Sequence, residues 1–588
     1  MPYYKRDPQF QYVANFNWTK KAHNVRFGMD IYRQQMNQTQ EQFVGGAFAG
    51  GQGGFGFTGG PTTTRGGASA NQFNSYAAFL LGLPARIGKQ DLVPDEYTVR
   101  ASLYSMYVQD RWNVTPRLSL SYGLRWEYFP FATRADRGLE RYDYATNKML
   151  VCGVGSVPRD CGVNVSRALF APRFGIAYRP TDTLVIRGGY GITNDPYVVS
   201  EPMRANFPVL IPLNIEGANS FQPAGRLADG IPPILHPSLG NGVIDIPGNI
   251  ALATAPKNIR RGYVQSWNFT LQKQLQHNIT AQAGYVATRQ VRQFGFIDRN
   301  AGQVIGAGQA GRPLFAAFGR TAATTEVFTP VGSSQYNALQ TSLARRFSSG
   351  FQLGANYTFS KSIGVTDNSE NNPRVQALAY YGLNRAVLNY DRTHNIQITN
   401  IYELPFGKGK RWAHGRLSSA MLGGWQLNNI LSFLSGTPFS VSASGTSLDL
   451  PGSAQRADQV KGNVQITGGT GRGQSYFDPL AFVPVTAARF GNAGFNSLRG
   501  PGVANWDIGL FREFAVRERV KIQFRAEAFN GTNTPHFSNP GANVSNLTLN
   551  TDGSVRSLGG FSEITGTNSI GREGIDERQF RFGLRMSW

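Results

Sequence analysis

The 588-residue chain has no long apolar run. Its longest candidate, Ala77 to Leu83, is far short of the roughly 18 residues that a membrane-spanning helix needs. Mean hydropathy is −0.29. This argues against a helical membrane protein. It leaves a membrane β-barrel open, because barrel strands carry only a weak alternating signal. Charge is scarce too: Asp, Glu, Lys and Arg make up 16% of the chain, against roughly 25% in soluble domains. The six histidines occur singly, and there is no HExxH, CxxC or Ser/His/Asp spacing. The sequence therefore reads as a non-enzyme, with no catalytic residue, no metal site and no cofactor.

Cysteine is nearly absent. Cys152 and Cys161 are separated by eight intervening residues in the Gly/Pro-containing stretch "VCGVGSVPRDC". Two thiols without a nearby histidine are too few for zinc, so a short loop disulfide in an oxidising compartment is expected. Met1-Pro-Tyr-Tyr-Lys has no basic n-region, apolar h-region or small-residue cleavage site. Either the protein is not exported, or the sequence begins downstream of its true start. The net charge is +22 and the pI about 10.0, which raises nucleic acid and anionic surfaces as partners. No dense Lys/Arg run exists, so nucleic acid is not expected.

What the chain does have is glycine (69 residues), aromatics (12%) and alternation. In Arg117–Tyr128, Leu118, Leu120, Tyr122, Leu124, Trp126 and Tyr128 alternate with polar residues and glycine. Phe351–Ser360, Arg519–Phe529 and the closing "RQFRFGLRMSW" repeat the pattern. Period two gives one apolar and one polar face. Fifteen such segments are predicted: 10–19, 23–33, 98–112, 117–129, 172–179, 183–193, 262–275, 278–288, 335–347, 350–362, 391–404, 423–435, 503–514, 519–530 and 577–588. Their length of about ten residues suits tilted membrane strands. The connections alternate without a break between short ones, such as Lys20–Ala22, Ser348–Ser349 and Ala515–Glu518, and long ones, such as 34–97 and 436–502. Pro405–Leu422 is a longer member of the short set.

This pattern predicts an all-β fold, a transmembrane antiparallel β-barrel with short periplasmic turns and long extracellular loops. The sheet would have to close, since an open edge leaves backbone groups unpaired in hydrocarbon. Phe524 and Leu584 would face lipid. Arg125, Glu127, Asp507, Gln523, Arg525, Glu527, Arg581 and Arg585 would face the lumen. Trp18, Trp126, Tyr128 and Trp588 lie near strand ends, where aromatic girdles belong. Bacterial single-chain barrels have an even strand number. An odd count implies at least one further strand, and hence a C-terminal portion of a larger barrel.

Several stretches resemble the TonB-dependent outer-membrane receptors, specifically the Oar-like group with a carboxypeptidase-regulatory-like domain. They are "YNALQTSLARRFSSGFQLGANYTFSKSI" (336–363), "NYDRTHNIQITNIYELPFGKGKRW" (389–412), "GWQLNNILSFLSGTPF" (424–439), "SLRGPGVANWDIGLFREF" (497–514) and "FRAEAFNGTNTPHFSNP" (524–540). The resemblance covers most of residues 10–588. It implies a 22-stranded barrel around an N-terminal plug, of which residues 1–588 are the barrel portion without signal peptide, N-terminal domain or plug. It implies ligand uptake through the extracellular loops, with the TonB complex as partner where a plug exists. It also implies that Phe580, Phe582, Leu584, Met586 and Trp588 form the C-terminal signal read by the barrel-assembly machinery. Outer-membrane lipid and lipopolysaccharide would surround the chain in the cell outer membrane of a Gram-negative bacterium. A non-transporting adhesion or structural barrel and a passive porin are the alternatives. Cargo is not legible: oligosaccharide, peptide, protein and metal chelate all remain open.

The remaining motifs read as loop features. "GFGFTG" (54–59) fits GxGxxG but lacks a preceding parallel strand and a following helix. "GGTGRGQS" (468–475) has no Walker lysine. His394, beside Asp391 and Arg392, is expected in a polar rim cluster, and Glu513 and Glu518 are expected to be solvated near a turn. Asp367, Asn368, Glu370 and Asn371 offer oxygen ligands for calcium but read first as a polar surface loop. Tyr197, Phe207, Tyr380, Tyr381 and Tyr476 either line a ligand mouth or pack among themselves.

Overall fold

A computed structural model describes residues 4–39, 53–63, 72–94, 96–195, 203–321, 324–366, 372–515, 520–568 and 576–588. Fifteen long strands dominate it: β1 (Gln9–Lys20), β2 (His23–Thr39), β3 (Tyr97–Thr115), β4 (Leu118–Tyr128), β5 (Leu169–Thr181), β6 (Leu184–Asn194), β7 (Tyr263–Gln274), β8 (Ile279–Asp298), β9 (Thr325–Ser348), β10 (Phe351–Gly364), β11 (His394–Glu403), β12 (Trp425–Leu434), β13 (Val503–Ala515), β14 (Lys521–Phe529) and β15 (Gln579–Ser587). Each long strand pairs antiparallel with the one before and the one after it in the chain. Every expected segment is a strand of this sheet.

The register carries the alternation across the sheet. Phe16, Phe27, Val108, Leu124 and Pro172 lie side by side on β1 to β5. On the last two strands Phe524 faces Leu584, and Ala526 faces Phe582. Phe582 is 73% exposed and Leu584 76%. One face of the sheet is thus predominantly apolar and exposed, as a wall bathed in acyl chains must be.

β2, β8 and β9 run beyond their expected ends, to Thr39, to Asp298 and back to Thr325. The extensions carry Gln34, Gln35, Asn37 and Gln38, and Arg289 and Gln290. Alternation marks only the length that separates an apolar from a polar environment. Past that length the pairing continues without it. The tight reversals follow turn chemistry: His277 and Asn278 both have positive φ, as do Ser349 and Gly350, the primed geometry that matches strand twist. The longer connection 405–422 contains a short helix, α1 (Arg416–Leu422). The expected turn Ala515–Glu518 lies, except for Ala515, outside the described residues.

Among the described residues β1 and β15 do not pair with each other, so both are free edges. These fifteen strands alone therefore do not close a barrel. At the end opposite the tight turns, the long loops fold into two packed caps. The first has Leu139, Cys152, Cys161, Met203, Ile259, Phe294 and Phe328 in its core, with an adjoining cluster around Tyr142, Met149 and Ile250. The second is centred on Phe477, Phe482, Val544 and Phe561, beside Val375, Leu448 and Phe495. The β8–β9 loop bridges them: Gly302 N donates to the Pro451 carbonyl at 2.8 Å, and Leu378 N to Gln303 Oε1 at 2.9 Å.

Candidate ligand face and loop caps

The residues expected in the lumen fall into two groups on the face opposite the apolar wall. Arg125 and Glu127 lie on β4, where Arg125 Nε donates to Glu127 Oε1 at 2.8 Å and Arg125 Nη2 lies 3.8 Å from Asp30 Oδ2. Glu127 Oε2 also accepts from Asn194 Nδ2 at 3.0 Å. The other six lie on β13 to β15. Asp507 Oδ1 accepts from Asn530 N at 2.8 Å and from Asn505 Nδ2 at 3.1 Å. Arg525 Nε donates to Gln523 Oε1 at 2.8 Å, and its guanidinium stacks over Phe511 at 5.0 Å. Arg581, opposite Glu527 in register, stacks over Phe529 at 4.8 Å. Arg585 stands opposite Gln523. Nearby, Gln352, Thr399, Asn428, Asp507, Glu527 and Phe529 line a recess of about 450 Å³.

The phenylalanines under these arginines, Phe511 and Phe529, were not picked out from the sequence. Their signal was present: both sit on polar-face positions of alternating strands. An aromatic ring there fixes a guanidinium through the ring quadrupole without neutralising it.

In the first cap Cys152 and Cys161 are bonded, with Cα atoms 5.1 Å apart, and both are buried. Beside them Glu140 is fully buried and pairs with both Arg134 and Arg137. Arg134 also donates to the carbonyls of Thr98 at 2.9 Å and Arg204 at 2.7 Å. That network ties three separate segments together. In the second cap Arg489 holds Asp458 through both carboxylate oxygens, at 2.9 and 2.6 Å. This pairing holds the Asp458 carboxyl below its ordinary range.

Of the loop aromatics, Phe207 and Tyr476 are buried in the cap cores and Tyr380 is exposed. Tyr381 donates to the Val331 carbonyl at 2.7 Å, and burial pushes its hydroxyl up to about 12. Tyr197 lies outside the described residues, as do Asp367, Asn368, Glu370, Asn371 and Glu518. Gly54–Gly56 of the GxGxxG match is a strand paired with residues 86–88. In the 468–475 stretch Gly473 N donates to Glu563 Oε1 at 2.7 Å. Glu513 forms an ion pair with Lys521 at 2.7 Å.

His394 departs from the expected rim cluster. Asp391 is buried and bonds Arg499 at 2.5 Å, while Arg392 donates to the Ser435 carbonyl. His394 instead lies 3.0 Å from the Tyr357 hydroxyl and packs on Phe359. As the first residue of β11 it follows the alternation of Ile396 and Ile398 onto the apolar face. Its sequence neighbours stand in the preceding loop and escape that constraint.

A family model described as an outer membrane beta barrel domain matches residues 1–581. No curated protein matches the chain. Among solved structures, the outer membrane transporter YddB from Escherichia coli superposes with a TM-score of 0.50 at 10% identity, over 99% of this chain and 54% of that one. The FrpB iron transporter from Neisseria meningitidis gives 0.45 at 8% identity, over 99% and 55%. The siderophore receptor PiuA from Acinetobacter baumannii gives 0.43 at 12%, over 99% and 56%. The chain thus spans about half the length of these structures, which are transporters and receptors rather than enzymes. A single meandering sheet with one bare apolar face, matched almost end to end by that family model, makes the chain a member of the outer membrane β-barrel domain family, at home in the outer membrane of a Gram-negative bacterium.

Proposed function

We propose that the chain is the C-terminal barrel portion of a TonB-dependent receptor of the Oar-like group, which takes up a ligand bound at the extracellular loops. The observation that carries this reading is the set of five stretches between 336 and 540 that resemble that group. The fold likeness to an outer membrane transporter supports it at the level of architecture. In this reading the polar face lines the lumen, with Arg125, Glu127, Asp507, Gln523, Arg525, Glu527, Arg581 and Arg585 along the path. The loop caps form the ligand mouth. A plug supplied by a further part of the protein fills the lumen, and TonB pulls on it. Phe580, Phe582, Leu584, Met586 and Trp588 present the assembly signal. Oligosaccharide is one admissible cargo among several.

The test is the reading frame upstream of Met1. A plug with a TonB box encoded there is the expected result. A signal peptide fused directly to the first strand would overturn energised transport. Liposome swelling then separates the other readings, since solute flux through the purified protein favours a porin and its absence an adhesion barrel.

A further inference from the structure

We propose that the outward face carries a binding site for a phosphorylated lipid of the outer leaflet, in the recess where β5 and β6 part beneath the first cap. The proposal rests on the outer-membrane placement of the chain, with the long loops extracellular, and does not depend on transport. β5 begins at Leu169 and β6 runs to Asn194, yet their pairing stops at Arg173 and Gly191. Between the parted ends lies a recess of about 470 Å³. Its wall includes Phe170, Ile192 and Tyr263, which the alternation of their strands assigns to the apolar face. Phe170 is 52% exposed. Phe174 and Tyr190 continue the same surface towards the middle of the sheet.

The rim is cationic. Arg167, Arg260 and Arg292 all line the recess and are all exposed. Among the described residues none of the three forms an ion pair with a carboxylate. Two of them are positioned by the backbone around them. The Trp126 indole donates to the Arg167 carbonyl at 2.7 Å. Arg292 occupies a bulge between Val291 and Gln293 with φ 56, and its guanidinium stacks over Tyr263 at 5.5 Å. The bulge crowds the neighbouring strand. A Cβ on Gly262 would lie 2.2 Å from the Arg292 carbonyl oxygen, so only glycine fits there. Arg261 also touches the recess, but its guanidinium stacks on Phe129 at 4.9 Å and its charge faces Asp195.

Three guanidiniums without carboxylates select an anion, and their planar forks fit phosphate oxygens in pairs. The aromatic and aliphatic wall below them selects an amphiphile. A phosphate head at the rim would lay its acyl chains along Phe170, Phe174 and Tyr190. A free phosphate ion would use the rim and leave the wall bare, so the surface matches a phosphorylated glycolipid better.

The experiment is titration of the full chain in detergent with bis-phosphorylated lipid A, read by native mass spectrometry. The combined variant R167Q/R260Q/R292Q should bind roughly 100-fold more weakly, at about a fivefold loss per arginine. The three corresponding lysine variants should retain most of the affinity, and dephosphorylated lipid A should bind weakly. Unchanged affinity in the glutamine variant, or equal binding of dephosphorylated lipid A, would overturn the site. Displacement of the lipid by millimolar inorganic phosphate would overturn the lipid assignment. Heat-modifiable gel mobility reports folding. Should the triple variant not fold, R260Q alone carries the same test, at about a fivefold loss.

Discussion

Asp458 shows how a single carboxylate can set the acid limit of a cap. Its hydrogen bonds to Arg489 lower its pKa in the folded protein, helped by the Asn492 amide at 3.0 Å and opposed by burial. The unfolded chain would titrate near 3.9. A depressed folded pKa contributes stability that is fully present above the unfolded value and lost as pH falls through the folded one. The second cap should therefore loosen as the medium is acidified below about pH 4. Limited proteolysis of residues 436–502 across a pH series checks this. In R489A the same loosening should begin at higher pH, because the pKa returns towards its ordinary range. A cleavage profile identical in the two proteins would contradict the assignment.

At the scale of the strand, the two faces make opposite demands on the same substitution. Val108 sits in an apolar row between Phe27 and Leu124, whereas Gln109 points to the other face. Val108→Arg should cost roughly 2–4 kcal/mol in folding from urea into bilayers, as an arginine near the midplane of a barrel wall does. Gln109→Arg should cost close to nothing. Equal costs would mean that the faces are misassigned. This face logic is the part of the fold that was legible in the sequence. Alternation located all fifteen strands because it records a difference in solvent on the two sides. It was silent where that difference vanishes, as in the extended ends of β2, β8 and β9. It was also silent about the loops, whose caps are built from scattered residues such as Phe477 and Phe561 that show no period. The arginine-stacked rings Phe511 and Phe529 were visible as exceptions to the alternation. The rim arginines were not, because Arg167, Arg260 and Arg292 come from three loop or bulge positions with nothing periodic to link them.

For the whole molecule, charge and shape divide the work. The net charge of +22 is spread over the polar face, the caps and the outward rim rather than gathered in one patch. The chain therefore meets anionic surroundings at several heights along its axis. Among themselves the fifteen long strands make only nearest-neighbour pairings, while the caps join distant segments. In the first cap Arg134 reaches a carbonyl 70 residues away, and in the second Ser562 exchanges hydrogen bonds with Phe477 across 85 residues. Within each hairpin joined by a tight turn, pairing needs only a short loop to close. A cap must wait until the strands between its segments have brought its ends together, which is when the closure entropy becomes affordable. Assembly should thus have a fixed order. In pulse-labelled refolding into detergent, amides of β9 and β10, which are joined by the tight turn at Ser349 and Gly350, should gain protection before those of Tyr476 and Phe477. The meander imposes a clock on the molecule, in which the wall is raised first and the gatehouse is finished last.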